Sequence, residues 1–304
     1  ALENSELTYE KKHELNIGVA FGFVDNRINV EFDWYRRNNF DLIGFTQTMG
    51  VGGVTTKLAN DATMQSTGCE FTISTTNIKT KDFKWTTDWI FGWAENTITK
   101  LDSRSQVYEL VNGFGRTEGR PIGALYSIPF AGLTEEGLPT FYIDAEHTQI
   151  AGPDNYDAIY FQEYENVDYL KYEGSIDPTI TGSFGNTFSW KGLKLNVFFT
   201  YSFGNVLRLD DLCPVYSSDY SDLTASMKEM KNRWMVPGDE QVTTIPSIPT
   251  VRQMREIDAL SNAYSAYNYS TERVAKGDFI RLKELSLAYD LPKKYFEGQN
   301  AVSS

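Results

Sequence analysis

From Glu14 to Phe23 apolar and polar positions alternate without a break. Leu15, Ile17, Val19, Phe21 and Phe23 fall on odd positions, and Glu14, Asn16, Gly18, Ala20 and Gly22 on even ones. A period of two puts each set on its own face of a β-strand. After Asp25-Asn26 the pattern resumes, with Ile28, Val30, Phe32 and Trp34 against Asn29, Glu31 and Asp33, which predicts a tight hairpin about that pair. The unit recurs. Cys69, Phe71 and Ile73 alternate with Glu70, Thr72 and Ser74, a short polar link Lys79 to Asp82 follows, and then Phe83, Trp85, Trp89, Phe91 and Trp93 share one face. Further on, Phe184, Phe188 and Trp190 precede Lys191-Gly192, after which Leu193, Leu195, Val197, Phe199, Tyr201 and Phe203 alternate with polar residues, Phe198 being the apolar intruder. A seventh run, Ile280 to Leu291, changes parity at Lys283-Glu284, as a β-bulge would make it do.

The connections between hairpins are long where those within them are short. Roughly 28 residues separate the first two hairpins, from about Asn38 to Gln65, roughly 80 lie between Asn96 and Ile180, and roughly 70 between Asn205 and Lys276. Compact soluble domains rarely hold such loops, whereas a transmembrane β-barrel has tight periplasmic turns and long extracellular loops. Each run approximates the 9 to 11 residues that cross the hydrocarbon when tilted. Trp85 and Trp93, eight positions apart, would stand roughly 20 Å apart along the membrane normal, close to the spacing of two aromatic girdles. A soluble β-sandwich also alternates, but its turns recur more often. Seven strands do not close a bacterial barrel, so the expectation is an all-β, antiparallel barrel fragment of about seven strands, cut at both ends.

Charge narrows the functions. Asp and Glu number 41 against 28 Lys and Arg, a net charge of −13, with no basic cluster for a phosphate backbone, so nucleic acid is not an expected partner. No apolar run approaches a transmembrane helix. The N-terminus carries no secretory signal, so the chain is either cytosolic or preceded by further sequence. Two cysteines, Cys69 and Cys213, and two histidines, His13 and His147, give no metal-ligand spacing. No catalytic motif is present, and no cofactor or enzymatic activity is expected. Between Gly132 and Pro178 eleven acidic residues face one basic residue, Lys171. Without an EF-hand pattern or a defined carboxylate pair, a solvated acidic surface is the simpler reading than Ca²⁺ binding or glycoside hydrolysis. The same stretch holds Phe141, Tyr142, Tyr156, Tyr160, Phe161, Tyr164, Tyr169 and Tyr172, and the next long link holds Tyr216 and Tyr220. Rings beside carboxylates suit sugar or peptide recognition, or pack loops together. Asp222 to Met235 reads as a short helix capped by Asp222 and stopped at Pro237-Gly238.

Leu7-Thr8-Tyr9-Glu10, Arg233-Trp234-Met235-Val236-Pro237-Gly238-Asp239, Phe279-Ile280-Arg281-Leu282-Lys283 and several stretches between them, taken in order, resemble the SusC/RagA-like TonB-dependent transporters of Gram-negative outer membranes. Leu7-Thr8-Tyr9-Glu10 with Asn16-Ile17-Gly18, Trp34-Tyr35-Arg36 with Asp41-Leu42-Ile43, and Thr67-Gly68-Cys69-Glu70 match family strand motifs, with Cys69 where a small aliphatic residue is usual. Glu118-Gly119-Arg120-Pro121-Ile122-Gly123, Gly137-Leu138-Pro139 and Asp144, and Gly182 to Asn186, are similar to its central block. Two late motifs are the most specific. Arg233-Trp234-Met235-Val236-Pro237-Gly238-Asp239 resembles the family's RWTpPGD, departing at Met235, and Phe279-Ile280-Arg281-Leu282-Lys283 through Leu291-Pro292 resembles FiRLKnvtLsYnLP. The resemblance implies a barrel of about 22 strands, of which residues 1–304 would be a partial barrel domain without the plug or the remaining strands. It also implies outer-membrane residence in contact with lipid, import of oligosaccharides or peptides, a SusD-like surface lipoprotein over the loops, and TonB acting through the missing plug. On this reading Glu14, Asn16, Glu31 and Asp33 line the lumen, the loops from Gly113 to Asp177 and from Asn205 to Lys276 lie outside the cell, and Tyr160, Tyr164, Tyr216 and Tyr220 are the candidate substrate contacts. A non-transport barrel, adhesin or enzyme, and a soluble carbohydrate-binding β-sandwich remain the alternatives.

Overall fold

In a computed structural model, residues 7–48, 53, 56–212 and 228–291 are described. Strands β1 (Lys11–Phe23), β2 (Ile28–Gln47), β3 (Thr56–Lys79) and β4 (Phe83–Leu101) form an antiparallel meander. Residues 102–179 follow, with α1 (Val107–Val111) and the short strands β5 (Ala124–Ser127), β6 (Phe130–Leu133), β7 (Pro139–Tyr142), β8 (Ile150–Ala151) and β9 (Lys171–Ser175). The meander resumes with β10 (Ile180–Trp190) and β11 (Leu193–Phe203). A second long excursion carries β12 (Val206–Arg208), α2 (Val251–Glu256), α3 (Leu260–Asn268) and β13 (Val274–Lys276) before β14 (Phe279–Tyr289). The seven long strands make one sheet in the order β1-β2-β3-β4-β10-β11-β14, and it is not closed within this chain.

Directly paired residues point to the same side, so the register extends the alternation across the sheet. Val19 pairs with Phe32, Phe32 with Phe71 and Phe71 with Phe91. The next row runs from Phe21 through Val30, Ile73, Trp89, Phe184 and Phe199 to Leu282. One face therefore carries an apolar band, interrupted toward the turns by Thr75, Thr87 and Asn186 in the row of Phe23, and on β1 its residues Leu15, Ile17, Val19, Phe21 and Phe23 are all 42% exposed or more. The other face collects Glu31 with Ala20 and Thr72, Asp33 with Gly18 and Glu70, and Thr187 with Asn196. Glu14, on that side, is gripped by Lys12 at 2.6 Å and Arg37 at 2.9 Å.

The exceptions to the alternation have local causes. Phe198 turns inward because Gly185 lies opposite it, and a Cβ there would stand 3.2 Å from the ring. The bulge falls at Lys283: Phe198 pairs with Glu284 and Phe199 with Leu282. Lys191 (φ 47°) and Gly192 (φ 89°) make the left-handed two-residue turn that a right-twisted hairpin favours.

Three expectations need correction. The first hairpin turns through four residues, 24–27, with Val24, Asp25 and Asn26 all at positive φ, rather than through Asp25-Asn26 alone. The first long link is in fact short. β2 continues to Gln47 and β3 starts at Thr56, so strands of 20 and 24 residues stand well beyond a membrane-crossing length. Above the apolar band neither face needs to be apolar, and the pairing is fixed by polar ties such as Asn60 Nδ2 to the Asp41 carbonyl (2.6 Å) and Lys11 to Asp41 (2.8 Å). Finally, residues 228–232 form a 3₁₀ turn rather than the end of an α-helix, and 222–227 lie outside the described residues.

The buried core is not under the sheet but in the excursions. Val107, Leu110, Tyr126, Ile128, Phe141, Tyr156, Leu260 and Tyr267 belong to one buried cluster whose members all lie between residues 107 and 267. The long links thus fold into a packed layer of their own at one end of the strands.

Candidate functional site

The layer is tied together by two arginines, Arg208 half-buried and Arg273 buried. Arg208, on β12, donates to the carbonyls of Tyr126 (2.6 Å), Val111 (2.9 Å) and Ser270 (3.0 Å) and to Ser127 Oγ (3.1 Å), joining four stretches that are distant in sequence. Burial pulls its pKa down to about 10, well above neutral pH, so it holds these acceptors as a cation. Arg273 donates to the Asp210 carbonyl (2.6 Å) and pairs with Glu229. Pairing of β12 with β13 returns the second excursion to the barrel wall.

The first excursion is attached to the wall at the top of β3 and β4. Asp61, 2% exposed, accepts from Ser103 Oγ at 2.7 Å and lies 3.9 Å from Arg116 Nη1. Ser105 Oγ accepts from the Arg116 N–H at 2.8 Å. Between the strand ends and the loop layer a cavity of about 410 Å³ opens, lined by Thr46, Asp61, Asp102, Ser103, Arg104, Ser105, Glu109, Phe114, Arg116 and Tyr164. A neighbouring cavity of about 330 Å³ shares Arg104, Arg116 and Tyr164. A third, of about 660 Å³, lies between Glu135, Glu136, Trp234, Arg252 and Glu256. Trp234 covers Gly137 there and donates from Nε1 to Glu240 at 3.0 Å.

The sequence-predicted rings separate into two groups. Phe141, Tyr156 and Tyr169 are buried in the layer, where Tyr156 donates its hydroxyl to the Pro139 carbonyl at 2.8 Å and burial pushes Tyr169 up to about 12. They are packing residues. Tyr160 and Tyr164 remain 57% and 44% exposed, on one turn closed by Glu163 N–H to the Tyr160 carbonyl. Glu163 accepts from the N–H groups of Glu165, Asn166 and Tyr164, which holds its carboxyl below the usual range. Tyr164 reaches the wall of the cavity; Tyr160 is not among its lining residues. Tyr216 and Tyr220 lie outside the described residues. Among the described residues no group of three or more His, Cys, Asp or Glu is arranged to hold a metal ion. Asp61, Arg104 and Arg116 were not singled out by the sequence: Asp61 sits at a strand irregularity, where Leu42 pairs with Ala62 and Ile43 with Asn60, and no periodic signal marks it.

An antiparallel meander with a mostly apolar outer face, a polar inner face, short turns at one end and a folded loop layer at the other is the wall of a transmembrane β-barrel. No protein-family profile matches the chain. TonB-dependent receptor P3 of Formosa agariphila is 26% identical over 306 residues, covering 96% of this chain and 28% of that protein. TonB-dependent receptor SusC of Bacteroides thetaiotaomicron is 34% identical over 99 residues, covering 32% of this chain and 10% of that protein. Among solved structures, the RagAB peptide importer in its closed-closed state superposes with a TM-score of 0.70 at 26% identity, over 99% of this chain and 31% of that one. In sequence and fold the chain is similar to part of the SusC/RagA-like TonB-dependent receptors, and it spans less than a third of the length of these relatives.

Proposed function

We propose that the whole protein is an outer-membrane importer that takes up oligosaccharides or peptides, with a SusD-like lipoprotein over its loop layer and TonB supplying energy through a plug domain outside residues 1–304. One observation carries this reading: the long excursions fold into a layer with its own core, anchored by Arg208 and Asp61 at one end of the strands. A rigid scaffold that presents packed loops at one end is where binding resides. The proteins it resembles are named as receptors and transporters rather than enzymes. On this proposal the layer faces outward, the turns at 24–27, 80–82 and 191–192 face the periplasm, and Glu14, Asn16, Glu31 and Asp33 line the lumen.

The proposed substrate contacts are Tyr160 and Tyr164, both exposed, with Tyr216 and Tyr220, which lie outside the described residues. In the intact transporter, Ala at one or more of these positions should weaken uptake by about 1 to 3 kcal/mol of binding. Uptake of a panel of oligosaccharides and peptides by cells carrying correctly inserted variants is the measurement. Neutral tyrosine variants together with damaging changes in the short turns would overturn both the sidedness and the binding assignment.

A further inference from the structure

We propose that the cavity between the tops of β2 and β3 and the first loop excursion is a subsite for a carboxylate carried on an oligomeric substrate, beside a hydrogen-bond donor of the same substrate. The inference rests on the import reading and names the chemistry its mouth selects.

Asp61 is buried, yet only one of its oxygens is satisfied. Oδ2 takes the Ser103 hydroxyl, while Oδ1 has no partner, and the Thr46 hydroxyl in the same wall is also unpartnered. Buried carboxylates are ordinarily both paired and hydrogen-bonded. Arg116 compensates the charge from 3.9 Å, which is too long for a hydrogen bond, so its guanidinium donors stay uncommitted among the described residues. It holds that position because residue 44 is glycine: a Cβ there would stand 2.9 Å from Nη1. Arg104, in the same wall, likewise has no side-chain partner among the described residues.

Two planar guanidinium groups with free donors suit a carboxylate, which each can grip through two parallel bonds. The wall also holds Asp61, Asp102 and Glu109, and with Lys100 paired to Asp102 at 3.0 Å its charges about cancel, so a doubly charged phosphate would be repelled more strongly than a singly charged carboxylate. A donor next to the ligand carboxylate would reach toward Asp61 Oδ1, and the Tyr164 ring would cover apolar ligand surface. Two substrates carry that pair of groups: a peptide C-terminus with its amide N–H, and a uronic acid with its ring hydroxyl.

Calorimetric titration of the intact transporter separates them. The probes are tetra-alanine, its C-terminal amide, trigalacturonate and its methyl ester. The wild type should bind at least one acid tenfold or more tighter than its neutral partner, and the arm that shows this identifies the source. Arg104→Gln leaves the Asp61 pair intact and should remove most of that preference; Arg116→Gln should do the same wherever it folds. Failure of both acids to bind at millimolar concentration, equal binding of acid and neutral forms, or a preference that survives Arg104→Gln would overturn the subsite. Uptake independent of TonB would instead sink the import reading, leaving the binding result standing.

Discussion

Val19 sits at the middle of the apolar face of β1, four residues from Leu15 and four from Phe23. At about 3.4 Å per residue and a tilt of about 40°, each end is roughly 10 Å away along the membrane normal. The three-methylene stem of an arginine covers only part of that distance, so Val19→Arg cannot bring its charge fully to the interface. Its row offers no acceptor, since it continues through Phe32, Phe71 and Phe91. The expected cost is about 2 to 4 kcal/mol. Leu15→Arg, at the band's edge opposite Arg36, should cost about 0 to 1 kcal/mol. Ala20→Arg should be tolerated, because it faces Glu31 on the inner side. Guanidinium unfolding of the full-length barrel in lipid vesicles measures all three. A neutral Val19→Arg beside a costly Ala20→Arg would mean that the faces are assigned the wrong way round.

Three more outcomes follow from particular contacts. In Gly182→Val the new Cβ would collide with the Ile90 carbonyl and the Tyr201 hydroxyl, which bonds that carbonyl at 2.9 Å; overpacking should cost about 1 to 3 kcal/mol in the same unfolding assay. Arg208→Met removes the side-chain donor from the buried carbonyls of Val111 and Tyr126, while Ser270 keeps the Arg273 N–H; at about 1 to 3 kcal/mol for each orphaned acceptor the loop layer should open to protease well before the strands do. Tyr169, pushed up to about 12, keeps its proton longer when folded than unfolded, so its contribution is complete below about pH 10 and is lost as pH rises toward 12; the tyrosinate absorbance of wild type minus Tyr169→Phe should be near zero at pH 10, and a full one-tyrosine difference there without loop opening would contradict its burial.

The band of strands was legible because a sheet with one apolar face writes period two directly into the sequence, and the parity slip at Lys283-Glu284 marked its bulge. Above the band that signal vanishes. Residues 39–47 and 56–65 pair through backbone bonds and polar ties, so the sequence reads as a loop where the structure has strand. The loop core was illegible for another reason. Tyr156 and Tyr169 look like Tyr160 and Tyr164 in sequence, and only contacts with segments such as Pro139 decide which rings are buried. Asp61 and Arg116, 55 positions apart, are joined by the fold alone.

Tryptophan quenching by brominated lipid tests the central claim most directly. Five of the six tryptophans, Trp34, Trp85, Trp89, Trp93 and Trp190, fall on the apolar face by register, and the sixth, Trp234, lies in the loop layer against Gly137. Two single-tryptophan forms of the full-length protein, retaining Trp89 or Trp234 with the others changed to Phe, would be inserted into vesicles brominated mid-chain. Strong quenching of Trp89 with none of Trp234 is the predicted result; an unquenched Trp89, or equal quenching of both, would contradict a membrane-facing sheet capped by an outer loop layer.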